Sequence, residues 1–242
     1  MLWRRSRKLA ALDAQEVLKR DPRSPVLYLR SFVDDSELMQ AEWDVVLKTG
    51  AGSSARTNTG KEESALARAW RRYSIGWLST SGRIEEGIAP EFKSIGPFVG
   101  IGAPNEPLPE LGAARAYFTS ETWQHAIVKW VHMARLIIKV AGPTKWIRWE
   151  LDTIIDCGAL SKLVILIPPG APQARVGRWQ NLMVELQSTP WGPALTSVDP
   201  MNLVALRFLA DGKVSIVTGG KGRLIDYLLA VRLMLYQLQD AP

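Results

Sequence analysis

Two apolar runs, Leu136-Ile137-Ile138-Lys139-Val140 and Leu163-Val164-Ile165-Leu166-Ile167, flank a stretch of helical periodicity from Thr144 to about residue 157. Runs this short and this continuously apolar are typical of strands buried on both faces of a parallel sheet. A strand, a helix and a second strand in that order form a crossover unit. Working outward, the same alternation recurs. Val26-Leu27-Tyr28-Leu29-Arg30-Ser31-Phe32 reads as a first strand after a helix over 4–20, which Asp21-Pro22-Arg23-Ser24-Pro25 stops. Pro97-Phe98-Val99-Gly100-Ile101-Gly102 reads as a second, following a crossover helix over 83–94, and residues 115–118 as a short third. Helices are predicted over 120–132, 172–186 and 223–238, and a hairpin over 202–208 and 213–217 turns at Asp211-Gly212. The pattern predicts an α/β fold: a flavodoxin-like three-layer sandwich with a mostly parallel central sheet.

Between the first strand and its crossover helix lies an insertion, 36–82. It reads as a helix over 36–48, a glycine-rich loop over 49–61 and a helix over 62–79 with Trp70, Tyr73 and Trp77. Its Gly60-Lys61 step is not a phosphate-binding loop, because Ala55 stands where the first glycine belongs and Glu62 follows the lysine. The expected organisation is a basic N-terminal helix in 1–23 and one domain over 24–242, with the hairpin and last helix at about 200–238 as additions.

Composition narrows the chemistry. The chain has 242 residues, 47% of them hydrophobic and 22% charged, which excludes global disorder. One cysteine, Cys157, excludes an internal disulfide and a multi-thiolate zinc site. His125 and His132 lie seven apart on one predicted helix with no acid or thiol placed to join them, so they read as structural, and no metal is expected. No apolar run reaches the ~18–20 residues of a membrane helix, and the basic N-terminus lacks a signal-peptide core. An intracellular, cytoplasmic location is therefore expected.

The net charge is +6. The first 23 residues hold 7 basic and 3 acidic residues, or +4, leaving +2 for the rest. Leu2-Trp3-Arg4-Arg5-Ser6-Arg7-Lys8-Leu9 suits an anionic membrane surface, at about 1 kcal/mol per basic residue. It reads equally as a solvated helix start. The Trp-Arg-Arg beginning also resembles the cytoplasmic flank of a membrane segment, which would place the domain at, or tethered to, the inner membrane. Nucleic acid is not an expected partner, since no basic stripe interleaved with aromatics follows.

Ligands of parallel α/β sheets bind outside the carboxyl ends of the strands. Three segments fall there. Arg30-Ser31-Phe32-Val33-Asp34-Asp35 is a strand running into polar residues. Gly100-Ile101-Gly102-Ala103-Pro104-Asn105 is not a dinucleotide fingerprint, because Asn105 replaces the third glycine. In Trp146-Ile147-Arg148-Trp149-Glu150, Trp146 and Glu150 lie one helical turn apart, beside an apolar face of Ile147, Leu151, Ile154 and Ile155. Glu150 is thus expected at the border of the core, or on the surface near Arg148 and Lys145.

Together these segments resemble a TIR (Toll/interleukin-1 receptor) domain, over about residues 25–170, and look closest to bacterial membrane-associated TIR-like proteins. The opening strand runs into a Ser-aromatic step and an acidic turn. Gly102-Ala103-Pro104 occupies the family's loop after the second strand, and Trp146 to Glu150 matches its Trp-x-x-x-Glu pattern. Leu111-Gly112-Ala113-Ala114-Arg115 adds to the likeness. The long insertion, Thr144 in place of the usual serine, and the chain from about 188 depart from the family.

The resemblance implies cleavage of NAD+, as substrate and with no cofactor, at the nicotinamide–ribose bond, in bacterial signalling or defence. Glu150 would be the catalytic carboxylate and Trp146 a wall of the site. Arg30, Ser31 and Phe32 would border it, and Gly102, Ala103 and Pro104 would gate it. An alternative that it implies is a non-enzymatic module that self-associates through TIR-like surfaces. A nucleoside or nucleotide glycosyl transferase using the same glutamate is a third alternative.

Overall fold

The computed structural model describes residues 13–29, 84–102, 112–119, 121–142, 146–168, 172–209, 211–219 and 224–239. The predicted insertion and residues 1–12 lie outside them. The strands are β1 (Val26–Leu29), β2 (Phe98–Ile101), β3 (Ala114–Ala116), β4 (Leu136–Val140), β5 (Leu163–Leu166), β6 (Leu203–Phe208) and β7 (Val214–Thr218). They form one sheet in the order β3-β2-β1-β4-β5-β6-β7. Neighbours from β3 to β5 are parallel, and β6 and β7 are antiparallel additions. The chain steps outward from β1 to β2 to β3, then crosses back to β4 and proceeds the other way. Its direction therefore reverses between β1 and β4. With the edge strand β3 set aside, the core order 2-1-4-5 is flavodoxin-like.

Helices α1 (Ala14–Arg20), α2 (Ile84–Ile88), α3 (Trp123–Met133), α4 (Trp146–Asp156), α5 (Pro172–Leu186), α6 (Gly192–Leu195) and α7 (Leu224–Gln239) make the outer layers. The strand period of two decides which face each strand residue serves. Leu27, Leu29, Ile137 and Ile165 pack with Ala14, Ile127, Leu151 and Leu182, from α1, α3, α4 and α5. Val26, Tyr28, Ile138 and Val164 pack with Ile84, Tyr227 and Met234, from α2 and α7. Every residue of β1, β2, β4 and β5 is buried, which is why their sequences are continuous apolar runs. Among the described residues no helix is long and apolar enough to cross a membrane.

Two predicted helices depart from expectation. The helix read over 4–20 is interrupted at Asp13, and its part over 4–12 lies outside the described residues. Asp13 is the N-cap of α1 in extended conformation, accepting hydrogen bonds from the backbone N–H of Gln15 at 2.8 Å and Glu16 at 3.1 Å. The helix read over 83–94 holds as α2 for five residues and then tightens to a 3₁₀ turn, Ala89–Phe92. Pro90 has no N–H for the helical ladder, and its ring crowds the carbonyl four residues back.

A buried ion pair fixes α2 to the sheet. Arg115 of β3 donates through Nη2 to both oxygens of Glu85, at 2.6 Å each, and Glu85 also accepts the Ala113 N–H at 2.9 Å. The two side chains are 1% and 3% exposed. Two glycines make the space. A Cβ at Gly100 would lie 2.5 Å from Nη1 of Arg115, and one at Gly112, where φ is +134°, would lie 2.7 Å from Cγ of Glu85. Removing one partner of such a pair leaves the other charge buried without compensation, at a cost of about 3–5 kcal/mol. Arg115→Met should therefore lose about that much stability in urea unfolding, and the double variant Arg115→Met with Glu85→Gln should recover part of it. A wild-type midpoint for Arg115→Met would contradict this account.

Candidate functional site at the carboxyl edge of the sheet

Lys139 is the one charged residue in the otherwise apolar strand β4. Strand alternation turns it to the same face as Ile137, the face covered by α3 and α4. It stands level with Leu29, the last residue of β1, and with Ile165 of β5. That places it at the carboxyl edge of the central strands, beside the reversal between β1 and β4. On α4, the helix that follows β4, the 3.6-residue period turns Glu150, Leu151 and Ile154 toward the sheet, and all three are buried. The Lys139 ammonium Nζ donates to the Glu150 carboxylate through Oε2. Their side chains are 1% and 4% exposed.

Glu150 therefore lies within the core and not at its border, and its partner is a strand lysine. Arg148, expected as a surface neighbour, points outward instead, 3.4 Å from Glu185 and 3.9 Å from Asp152. The aromatic contact described on α4 is Trp149, whose ring meets that of Trp123 on α3 edge-on, with centroids 4.9 Å apart. Trp146 begins α4, and its side chain lies outside what is described. Arg30, Ser31, Phe32, Ala103 and Pro104 lie outside the described residues. Their chain neighbours Leu29 and Gly102 are both at this edge of the sheet. Gly102 has a packing reason to be glycine: a Cβ there would come 2.2 Å from the Tyr117 ring. Its N–H donates to the Ala116 carbonyl at 2.8 Å and extends the pairing of β2 with β3.

A second polar cluster sits at the same edge, at the end of β5. Arg175 on α5 is buried and donates to three backbone carbonyls: Pro168 at 3.2 Å, Leu203 at 2.5 Å and Pro200 at 3.3 Å. Tyr227 of α7 donates its hydroxyl to the Ile167 carbonyl at 2.7 Å. Burial pushes its phenol well above the ordinary range, and the positive charge of Arg175 opposes this only in part. Sequence reasoning missed this cluster, although Arg175 opens the inward stripe continued by Trp179, Leu182 and Leu186. It also passed over Lys139, whose signal is a single charge inside a buried strand. His125 and His132 are exposed, so they fill no structural role in the core. Among the described residues no group of His, Cys, Asp or Glu is placed to hold a metal.

Comparison of the chain with family models, curated proteins and solved structures finds no match. What the geometry defines is a doubly wound α/β domain with a buried lysine–glutamate pair at its topological reversal.

Two outcomes follow from the site. Lys139→Met should destabilise the fold by about 3–5 kcal/mol by stranding the Glu150 charge, and Lys139→Met with Glu150→Leu should be the more stable variant of the two; urea unfolding tests both. The raised Tyr227 phenol contributes stability that is fully present below its ordinary pKa of 10.0. As pH rises past that value the unfolded chain ionises first, so the contribution is lost. Tyr227→Phe should therefore lose stability less steeply above pH 10 than the wild type does, as read from urea midpoints across that range.

Proposed function

We propose that the chain is a TIR-like NAD+ glycohydrolase in which Glu150 is the catalytic carboxylate. The observation that carries the reading is the position of Glu150. It is a carboxylate on the helix after β4, beside the reversal between β1 and β4, where doubly wound sheets take their ligands.

The chemistry needs little beyond such a group. Glycosidases ordinarily use two carboxyl groups, one of them to protonate a poor leaving group. Nicotinamide leaves a pyridinium as a neutral base, taking the electron pair of the C1′–N bond, so no acid is required. Positive charge then develops on the ribose ring, and a carboxylate held nearby stabilises it. Water completes the reaction at C1′ and releases a proton, giving ADP-ribose and nicotinamide. Lys139 is a positioning residue here: it holds Glu150 in one orientation through their ion pair. Access to ribose requires the carboxylate to open toward the sheet's edge, in the direction in which the chain leaves β1, β2 and β4.

The depth of Glu150 favours a second reading. A carboxylate 3% exposed and paired to a strand lysine is also what a structural lock between α4 and β4 looks like. On that reading the domain is a non-enzymatic interaction module, and Glu150 serves its fold. Transfer of the ribosyl group to another base is a variant of the first reading, and its product separates it from hydrolysis.

The test is nicotinamide release from NAD+ at high protein concentration, by chromatography with mass detection. Wild-type release that falls at least about a hundredfold in Glu150→Gln, with the fold kept by circular dichroism, supports the enzyme. No release from a folded, assembled wild type supports the module. The basic run at 2–9 is proposed to meet an anionic bilayer. Co-sedimentation with phosphatidylserine-containing vesicles at low salt, lost at high salt, is the expected result, and no binding at low salt would remove the idea.

A further inference from the structure

The two edges of the sheet differ. At the β3 edge, Asp13 forms a parallel bridge with Arg115, and α1 continues from it. At the other edge, among the described residues, β7 has β6 as its one strand neighbour. The phase of that pairing is fixed at both ends. The Leu209 N–H donates to the Lys213 carbonyl at 2.9 Å, and the Gly219 N–H donates to the Asn202 carbonyl at 2.8 Å. Between them Val214, Ile216 and Thr218 stand opposite Phe208, Leu206 and Leu203. These are the alternate positions, whose N–H and C=O groups point away from the neighbouring strand. Edge strands are normally blunted by lysine or proline. Val214-Ser215-Ile216-Val217-Thr218 carries neither, bears no charge, and has Ile216 exposed at its centre.

We propose that β7 pairs antiparallel with β7 of a second copy of this chain, about a twofold axis at Ile216. The register is self-complementary. Ile216 meets Ile216 of the other copy, and Val214 meets Thr218 on each side, giving about six backbone hydrogen bonds from groups the isolated sheet leaves outward. A twofold axis normal to the sheet keeps each face on its own side, so the two α7 helices flank the seam on one face. Helix α7 is suited to that position. Leu229, Leu233 and Tyr236 form an exposed stripe at i, i+4 and i+7. Surface helices usually present polar residues there. The stripe lies between Arg232, which turns to Glu91 at 2.7 Å, and Asp226, beside Gly219 at the end of β7. Strand pairing alone falls short of the roughly 800 Å² per partner of a stable interface. The apolar stripe of α7 adds the area that a lone strand lacks.

Sedimentation velocity of the full chain over a dilution series tests this, and it is independent of NAD+ cleavage because it reads mass in the absence of any nucleotide. The expected result is a reversible dimer. Ile216→Pro removes the outward N–H at the axis without touching a bond to β6, and Leu233→Glu sets carboxylates beside the seam. Each should raise the dimer Kd by roughly tenfold or more with an unchanged circular dichroism spectrum. Ser215→Ala, at a position whose backbone faces β6, should leave the dimer intact. If Ile216→Pro fails to fold, Ile216→Lys replaces it, placing like charges opposite one another. A wild type that is monomeric at every concentration, or a dimer indifferent to both the residue-216 and residue-233 variants, overturns the proposal.

Discussion

Burying a sheet on both faces leaves no water for a charge on its strands, and the arrangement of this molecule follows from how each such charge is met. Among the described residues three cations sit on strands: Arg115, Lys139 and Arg207. Glu85 of α2 meets the first and Glu150 of α4 the second. The third donates to the Met234 carbonyl of α7 at 3.2 Å, and desolvation lowers its pKa. A charge taken out of water must be paired and hydrogen-bonded. Each strand cation therefore dictates what the helix above it must present. The helices are registered on the sheet by these contacts as well as by apolar packing, which alone is not directional.

The same constraint explains why the candidate site and the structural frame overlap. Lys139 and Glu150 lie where the chain reverses direction across the sheet, the place at which folds of this kind leave a crevice. A lysine there serves the fold by holding α4 on β4. A carboxylate there is also the one group that nicotinamide departure asks for. One pair thus stands in both accounts.

Much of the architecture was legible in the sequence. The strands at 136–140 and 163–166 and the helix at 172–186 were read to within a residue, because continuous apolar runs and 3.6-residue stripes come directly from two-sided and one-sided burial. The failures are local and physical. Asp13 reads as an ordinary helix residue until its side chain is seen capping Gln15 and Glu16. Pro90 shortens α2, where the apolar pattern continued past it. The position of Glu150 was half legible. Spacing put it at the border of the core or on the surface, and the partners nearest in sequence, Lys145 and Arg148, were not the one it takes.

By itself the sequence determined the kinds of element, their order and the faces they bury, since these depend on periodicity within a few neighbouring residues. Its Trp146-to-Glu150 pattern also marked Glu150 as a candidate, through a family resemblance. Only the tertiary structure decided that Glu150 is a core residue paired with Lys139, that Glu85 closes on Arg115 across a glycine-made space, and that β7 forms one edge of the described sheet. Each joins residues from different elements. Strand order and register bring them together, and no local pattern in the chain encodes that meeting.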